Sequence, residues 1–210
     1  MTTDIVIVVC AVRLDCELAF AWCTRNSGAF DIASREGVSV AIGPVTERQY
    51  RCVNYSPAKA SNIGIRRAAR LGHRVIIKTD IDCIMSPELL RQANALDDAH
   101  GICPLPKFVD VPDGEGEYQV GPCGTMALTA NTWTKLCGYD ERQWGHGYED
   151  GDLSRRASNS GVHVDHARGL LEHVAHESRQ DPAWYPRRAE ENLEIVTDQG
   201  PWACEDWGLT

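Results

Sequence analysis

From Ile5 to Cys10 every side chain is apolar, and most are β-branched. A run of this length and type predicts a strand buried on both faces. Leu14 to Thr24 then repeats its apolar residues at helical spacing, and Val38 to Ile42 forms a second short strand closed by Gly43-Pro44. Pro57 to Leu71 reads as a helix, with proline at its start, Ile63, Ile65, Ala68 and Leu71 inside, and Gly72 just beyond its end. Val75-Ile76-Ile77 predicts a third strand. Ser86-Pro87-Glu88 opens the next helix, with Ser86 as its cap. Strands that alternate with helices predict an α/β domain, its mostly parallel sheet covered on both faces. Ligands in such sheets bind beyond the carboxyl ends of the strands.

The second half is less regular. Pro104 to Val120 holds three prolines, two glycines and four acids (Asp110, Asp113, Glu115 and Glu117), which predicts a long loop. Thr125 to Thr129 suits a strand, and Asn131 to Leu136 and Asp150 to Asn159 suit short helices. Trp184, Trp202 and Trp207 predict that the tail packs on the body.

Composition leaves this picture intact. The 210 residues suit one domain; 43% are hydrophobic and 24% charged, as in ordinary globular chains. The formal net charge of −9 repels phosphate backbones unless basic residues are concentrated locally. Arg66, Arg67, Arg70 and Arg74 are too few to show that. The apolar start is short, follows an acid and lacks a signal peptide's charge pattern. No apolar run approaches the roughly 20 residues needed to span a bilayer. A cytoplasmic protein without a membrane span is therefore expected. Nine scattered cysteines include no CxxC pair, so no zinc ribbon or thioredoxin-type site is indicated.

Three segments carry candidate chemistry. In Lys78-Thr79-Asp80-Ile81-Asp82 a strand runs out into two aspartates, and strand alternation predicts that both face one site. Two carboxylates at a sheet edge suit a hard divalent cation, though surface turn acids would look the same. In Trp144-Gly145-His146-Gly147-Tyr148-Glu149-Asp150 a glycine-rich stretch precedes acids. Those acids fit a helix dipole, or supply a general base beside a closely approaching backbone. His173-Val174-Ala175-His176 sets two histidines three apart, sharing a helix face or flanking a turn; imidazole suits manganese-type metals.

Taken in order, these segments resemble the GT-A glycosyltransferases, in particular the group around the β-galactosyltransferases and bacterial chondroitin-type polymerases. Pro57 to Ile65 resembles their helix with an Asn-x-Gly core. Lys78 to Asp82 resembles the DXD motif. Gly124 to Leu128 through Cys137 to Glu141 resembles the stretch ending in "inGfde", and Trp144 to Asp150 the "WGWGGED" motif. His176 falls at the family's late metal-binding histidine. The resemblance covers roughly residues 4 to 178. Departures are His146 for a tryptophan, Tyr148 and Cys123 for glycines, and Ser56-Pro57 for an arginine that often meets the nucleotide.

The resemblance implies one GT-A domain over 1–210: a nucleotide-binding half at 1–83, an acceptor and sugar half at 84–178, and a packed tail at 179–210. It implies an inverting, metal-dependent transfer from a UDP-sugar. Mn2+ or Mg2+ would sit on Asp80, Asp82 and His176, with His173 as an extra ligand. Arg13, Lys59, Asn62, Asp80, Gly124, Trp144 and Gly147 would contact the donor. Asp150 would be the base, and Glu149 would bind hydroxyls. The expected acceptor is a glycan or glycoconjugate. The alternatives are a hydroxymethylated base in phage-type DNA, and a sugar-nucleotide binder without activity. The loop 104–120 is expected to border the acceptor site.

Overall fold

The computed structural model describes residues 4–10, 16–45, 56–109, 124–143, 147–174, 184–198, 202 and 206–208. A six-stranded sheet forms the centre. Its strands are β1 (Ile5–Cys10), β2 (Val40–Val45), β3 (Val75–Asp80), β5 (His100–Ile102), β7 (Met126–Thr129) and β8 (His163–Asp165). Their order is β2-β1-β3-β7-β5-β8, and only β7 runs against the rest. The expected α/β architecture with a mostly parallel sheet is therefore present. A smaller sheet, ordered β4-β9-β6, pairs β4 (Cys83–Met85) and β6 (Leu105–Val109) with β9 (Arg168–Val174).

The apolar runs of β1 and β3 sort by parity, because successive strand side chains point to opposite faces. Ile5, Ile7, Val9, Val75 and Ile77 join one core with Trp22 of α1 (Cys16–Arg35) and Leu89 and Leu90 of α3 (Pro87–Asn94). Val6, Val8 and Ile76 join the other. There they meet Ile65 of α2 (Pro57–Arg70), Trp133 of α4 (Ala130–Lys135) and Leu153 of α5 (Glu149–Asn159). Trp133 donates its indole N–H to the Ile76 carbonyl at 3.0 Å, which ties α4 to the central strand. Ser86 caps α3 as its sequence predicts, and Ser56 caps α2 in the same way, each with proline in the first turn.

Several expectations are corrected. Helix α1 continues to Arg35, because Ala29 and Ala33 extend its buried face beyond Thr24. Gly43-Pro44 lies inside β2 rather than closing it; an edge strand tolerates a residue without an N–H. The start of the expected loop at Pro104 is instead β6, paired with β9; residues 110–120 of that loop lie outside the described residues. The tail contains a helix that the pattern did not reveal, α6 (Trp184–Asp198). Among the described tail residues, Trp207 is buried in the second core, Arg66 bonds its carbonyl, and Trp202 donates to the Cys137 carbonyl at 2.8 Å. No helix among the described residues is long and apolar enough to cross a membrane.

Candidate active site

The site forms at the carboxyl end of β3. Parity puts Lys78 on the same side as Ile76, so a charged residue continues an otherwise apolar buried stripe. Its side chain is almost wholly enclosed. The ammonium donates to Asp80 Oδ1 at 2.8 Å and to the Gly124 carbonyl at 3.0 Å, and lies 5.6 Å from the centre of the Tyr139 ring. A buried cation is tolerable only when paired in this way.

Gly124 joins the two acidic segments. Its φ of +55° suits glycine, and an added Cβ would stand 2.3 Å from Asp80 Oδ2. Its N–H donates to Asp150 Oδ2 at 2.8 Å, while the Tyr139 hydroxyl donates to Asp150 Oδ1 at 3.1 Å. Each oxygen of Asp150 thus holds a donor, which fixes the carboxylate at the first turn of α5. Glu149 accepts from the Gly147 N–H at 2.6 Å, and Asn192 of α6 donates to the Gly147 carbonyl at 2.7 Å. The turn before α5 is therefore braced from the tail.

The electrostatics follow from crowding. Enclosure raises the Asp80 carboxyl above its ordinary range; Lys78 opposes this, while Asp82 and Asp150 add to it. Burial, helped by the charge of Asp150, pushes Glu149 up to about 7. Burial also holds the Tyr139 phenol well above 10, so it remains a hydrogen-bond donor.

Asp82 lies elsewhere than alternation predicts. The chain turns after Asp80, and Asp82 sits in that turn rather than further along the strand. There its Oδ1 is 3.5 Å from His173 Nε2. His173 is on a strand, not a helix face, because β9 pairs with β4 and sets it beside Cys83. Phe108 packs edge-on against its ring. A carboxylate oxygen and an imidazole nitrogen that face one another are a donor pair suited to a manganese-type ion. Among the described residues no group of three or more acidic, histidine or cysteine side chains forms a complete cage. His176, Arg13 and Trp144 lie outside the described residues.

The remaining expected donor contacts divide. Gly124 and Gly147 belong to the cluster. Lys59 lies in the first turn of α2, half-buried. Asn62 is fully buried, and its amide is engaged by the backbone of Tyr139 at 2.8 and 2.9 Å and by Glu141 at 2.8 Å. It acts there as a clamp on the 139–141 turn. Lys78, Tyr139 and Asn192 were not anticipated as site residues. The one available signal was Lys78, a charge at a core-parity position of a buried strand.

Comparison with known proteins bears on the fold. Residues 107–179 match the family described as the N-terminal domain of galactosyltransferase. Among solved structures, the catalytic domain of Drosophila β1,4-galactosyltransferase 7 with xylobiose aligns at a TM-score of 0.61 and 18% identity, over 87% of this chain and 75% of that one. A mutant of the Drosophila enzyme, in complex with manganese, UDP-Gal and xylobiose, aligns at 0.61 and 16%, over 86% and 76%. GalNAc-T7 with UDP, GalNAc and Mn2+ aligns at 0.54 and 14%, over 92% of this chain and 48% of its own length. No curated protein matches the chain. The fold is that of the GT-A glycosyltransferases, and residues 107–179 carry the likeness to the galactosyltransferase N-terminal domain.

Proposed function

We propose that this chain transfers a sugar from a UDP-sugar to a hydroxyl of a glycan or glycoconjugate, with inversion at the anomeric carbon. The observation that carries the reading is the convergence of Asp80, Glu149 and Asp150 around Lys78 and Gly124 at the end of β3. Neighbours of the same fold hold manganese, a UDP-sugar and a disaccharide. On this reading residues 1–83 carry the nucleotide and residues 84–178 the sugar and acceptor. Residues 179–210 then brace the turn before α5.

Asp82, His173 and His176 would hold the divalent ion, which when bound offsets the charge that develops on the leaving diphosphate. Asp80, held by Lys78, would contact the ribose or waters of that ion. Asp150 takes the proton of the acceptor hydroxyl. The new bond to the anomeric carbon forms on the face opposite the departing diphosphate, and so inverts it. The donors from Gly124 and Tyr139 orient Asp150 for this step. Glu149, with a pKa near 7, exchanges hydrogen bonds with sugar hydroxyls.

Calorimetry with UDP tests the reading. Binding is expected to be weak in chelator and tighter with manganese or magnesium, and Asp82→Ala should remove most of the difference. Equal affinity in chelator and in metal would sink it.

A further inference from the structure

Every carbonyl from Leu136 to Tyr139 accepts a hydrogen bond from a side chain of another segment. Arg156 of α5 donates to Leu136 at 2.8 Å and to Gly138 at 2.9 Å, Trp202 of the tail to Cys137 at 2.8 Å, and Asn62 of α2 to Tyr139 at 2.9 Å. The turn has reason to be held so closely. Cys137 at φ 55° and Gly138 at φ 62° are both left-handed, and for cysteine this conformation costs energy. Such backbone persists where its surroundings over-determine it, and it gathers at active sites.

The turn delivers one side chain to the site. The Tyr139 ring is buried beside Trp133, 5.7 Å between ring centres, and a phenylalanine would fill the same space. The hydroxyl is the polar part of the side chain, and it donates to Asp150 Oδ1 at 3.1 Å. Its reach is set by the backbone of Tyr139, whose N–H and carbonyl both bond the Asn62 amide. Asn62 is held in turn by Glu141 Oε1, which accepts from Asn62 Nδ2 at 2.8 Å and from the Gly208 N–H at 2.6 Å. One carboxylate oxygen therefore joins α2, the turn and the tail.

We propose that Glu141 is a positioning residue for the base Asp150, acting through Asn62 and the Tyr139 hydroxyl, and that the tail at Gly208 is part of the same latch. The proposal rests on the glycosyl-transfer reading above and adds to it residues that act on the base at second hand. A purely structural latch would stabilise the chain whether or not Tyr139 carries its hydroxyl. A positioning latch loses its effect on turnover once the hydroxyl is gone.

The test uses the full chain with manganese present. Release of UDP into water is followed with UDP-galactose, UDP-glucose, their N-acetylhexosamine counterparts and UDP-glucuronic acid. Turnover is taken per UDP-binding site, counted by calorimetry in the same samples. Tyr139→Phe should lower kcat roughly tenfold, the scale of one hydrogen bond to a charged group, with UDP affinity unchanged. Glu141→Ala should lower kcat about fivefold, within the range of coupling inside one hydrogen-bond network. Gly208→Ala attacks the latch from its other end, because the added Cβ would stand 2.5 Å from the Asn62 carbonyl oxygen, and it should do the same. Glu141→Gln keeps an oxygen that accepts both N–H groups and should restore the parent rate. In the Tyr139→Phe background Glu141→Ala should cost nothing further. Parent-like kcat in Tyr139→Phe or in both latch variants, an equal loss from Glu141→Ala in the two backgrounds, or Glu141→Gln as slow as Glu141→Ala overturns the positioning role. A parent that turns over and binds UDP with manganese confines that result to the latch. A parent that releases UDP from none of these donors overturns the glycosyl-transfer reading, and the latch with it.

Discussion

Replacing Gly124 with alanine separates backbone strain from the placement of Asp80. At φ +55° a non-glycine residue costs about 1–2 kcal/mol. The methyl group adds a second, local effect. It would lie 2.3 Å from Asp80 Oδ2, and ordinary contact begins at 3.4 Å, so the carboxylate must retreat by about 1 Å. That retreat pulls on the 2.8 Å bond from Lys78, whose ammonium is also held by the Gly124 carbonyl. A misplacement of about 1 Å can cost on the order of 10²-fold in turnover. Gly37→Ala is the control: its φ is +79°, and nothing lies within 4 Å of the added Cβ. Both variants should lose roughly 2–8 °C in Tm. Only Gly124→Ala should lose about 10²-fold in manganese-dependent kcat/KM for the sugar nucleotide. If the two variants turn over alike, Asp80 does not need the position that Gly124 leaves open, and the reasoning fails.

Asp150→Asn keeps the shape but cannot take a proton, so kcat should fall about 10²–10⁴-fold while UDP affinity, read by calorimetry, survives; near-normal turnover refutes the assignment. Glu149 has a folded pKa near 7 against 4.5 unfolded, so its ionised form opposes folding: the penalty is absent below pH 4.5, grows as pH rises to about 7 and is full above it. Glu149→Gln should therefore be more stable than the parent at pH 8 by roughly 3 kcal/mol, and the advantage should vanish toward pH 4.5 in urea denaturation. Arg156→Met strips the buried Asp152 of one partner and frees the carbonyls of Leu136 and Gly138; a loss of about 3–5 kcal/mol is expected, and a loss under about 1 kcal/mol contradicts the role given to that pair.

The parts legible in the sequence are those fixed by local rules. The unbroken apolar runs of β1 and β3, the Ser-Pro starts of α2 and α3, and the acids opening α5 each state their structure within a few residues. The small sheet is not local. Leu105 pairs with Arg168 and Cys83 with His173, and no short-range pattern couples strands so far apart. For the same reason Asp82 was read as a further strand position. A turn after Asp80 redirects the chain, and its partner is chosen by a distant strand. Helix α6 is hidden by its polar composition, and it meets the site through the contact from Asn192 to Gly147.

Lys78 shows how much a single long-range placement changes the chemistry. Alone, a lysine in β3 would be a defect in a buried stripe. With Asp80, Glu149 and Asp150 gathered around it, it becomes a fixed cation among three carboxylates, and it bonds Asp80. Burial raises the pKa values of Asp80 and Glu149, the crowded negative charge adds to it, and protonation would relieve both. A divalent cation near Asp82 would relieve it without protonation and keep Asp80 ionised. On the proposed function, the fixed ammonium would hold the cluster together in the folded chain, and a bound divalent ion would add the charge that a leaving diphosphate needs.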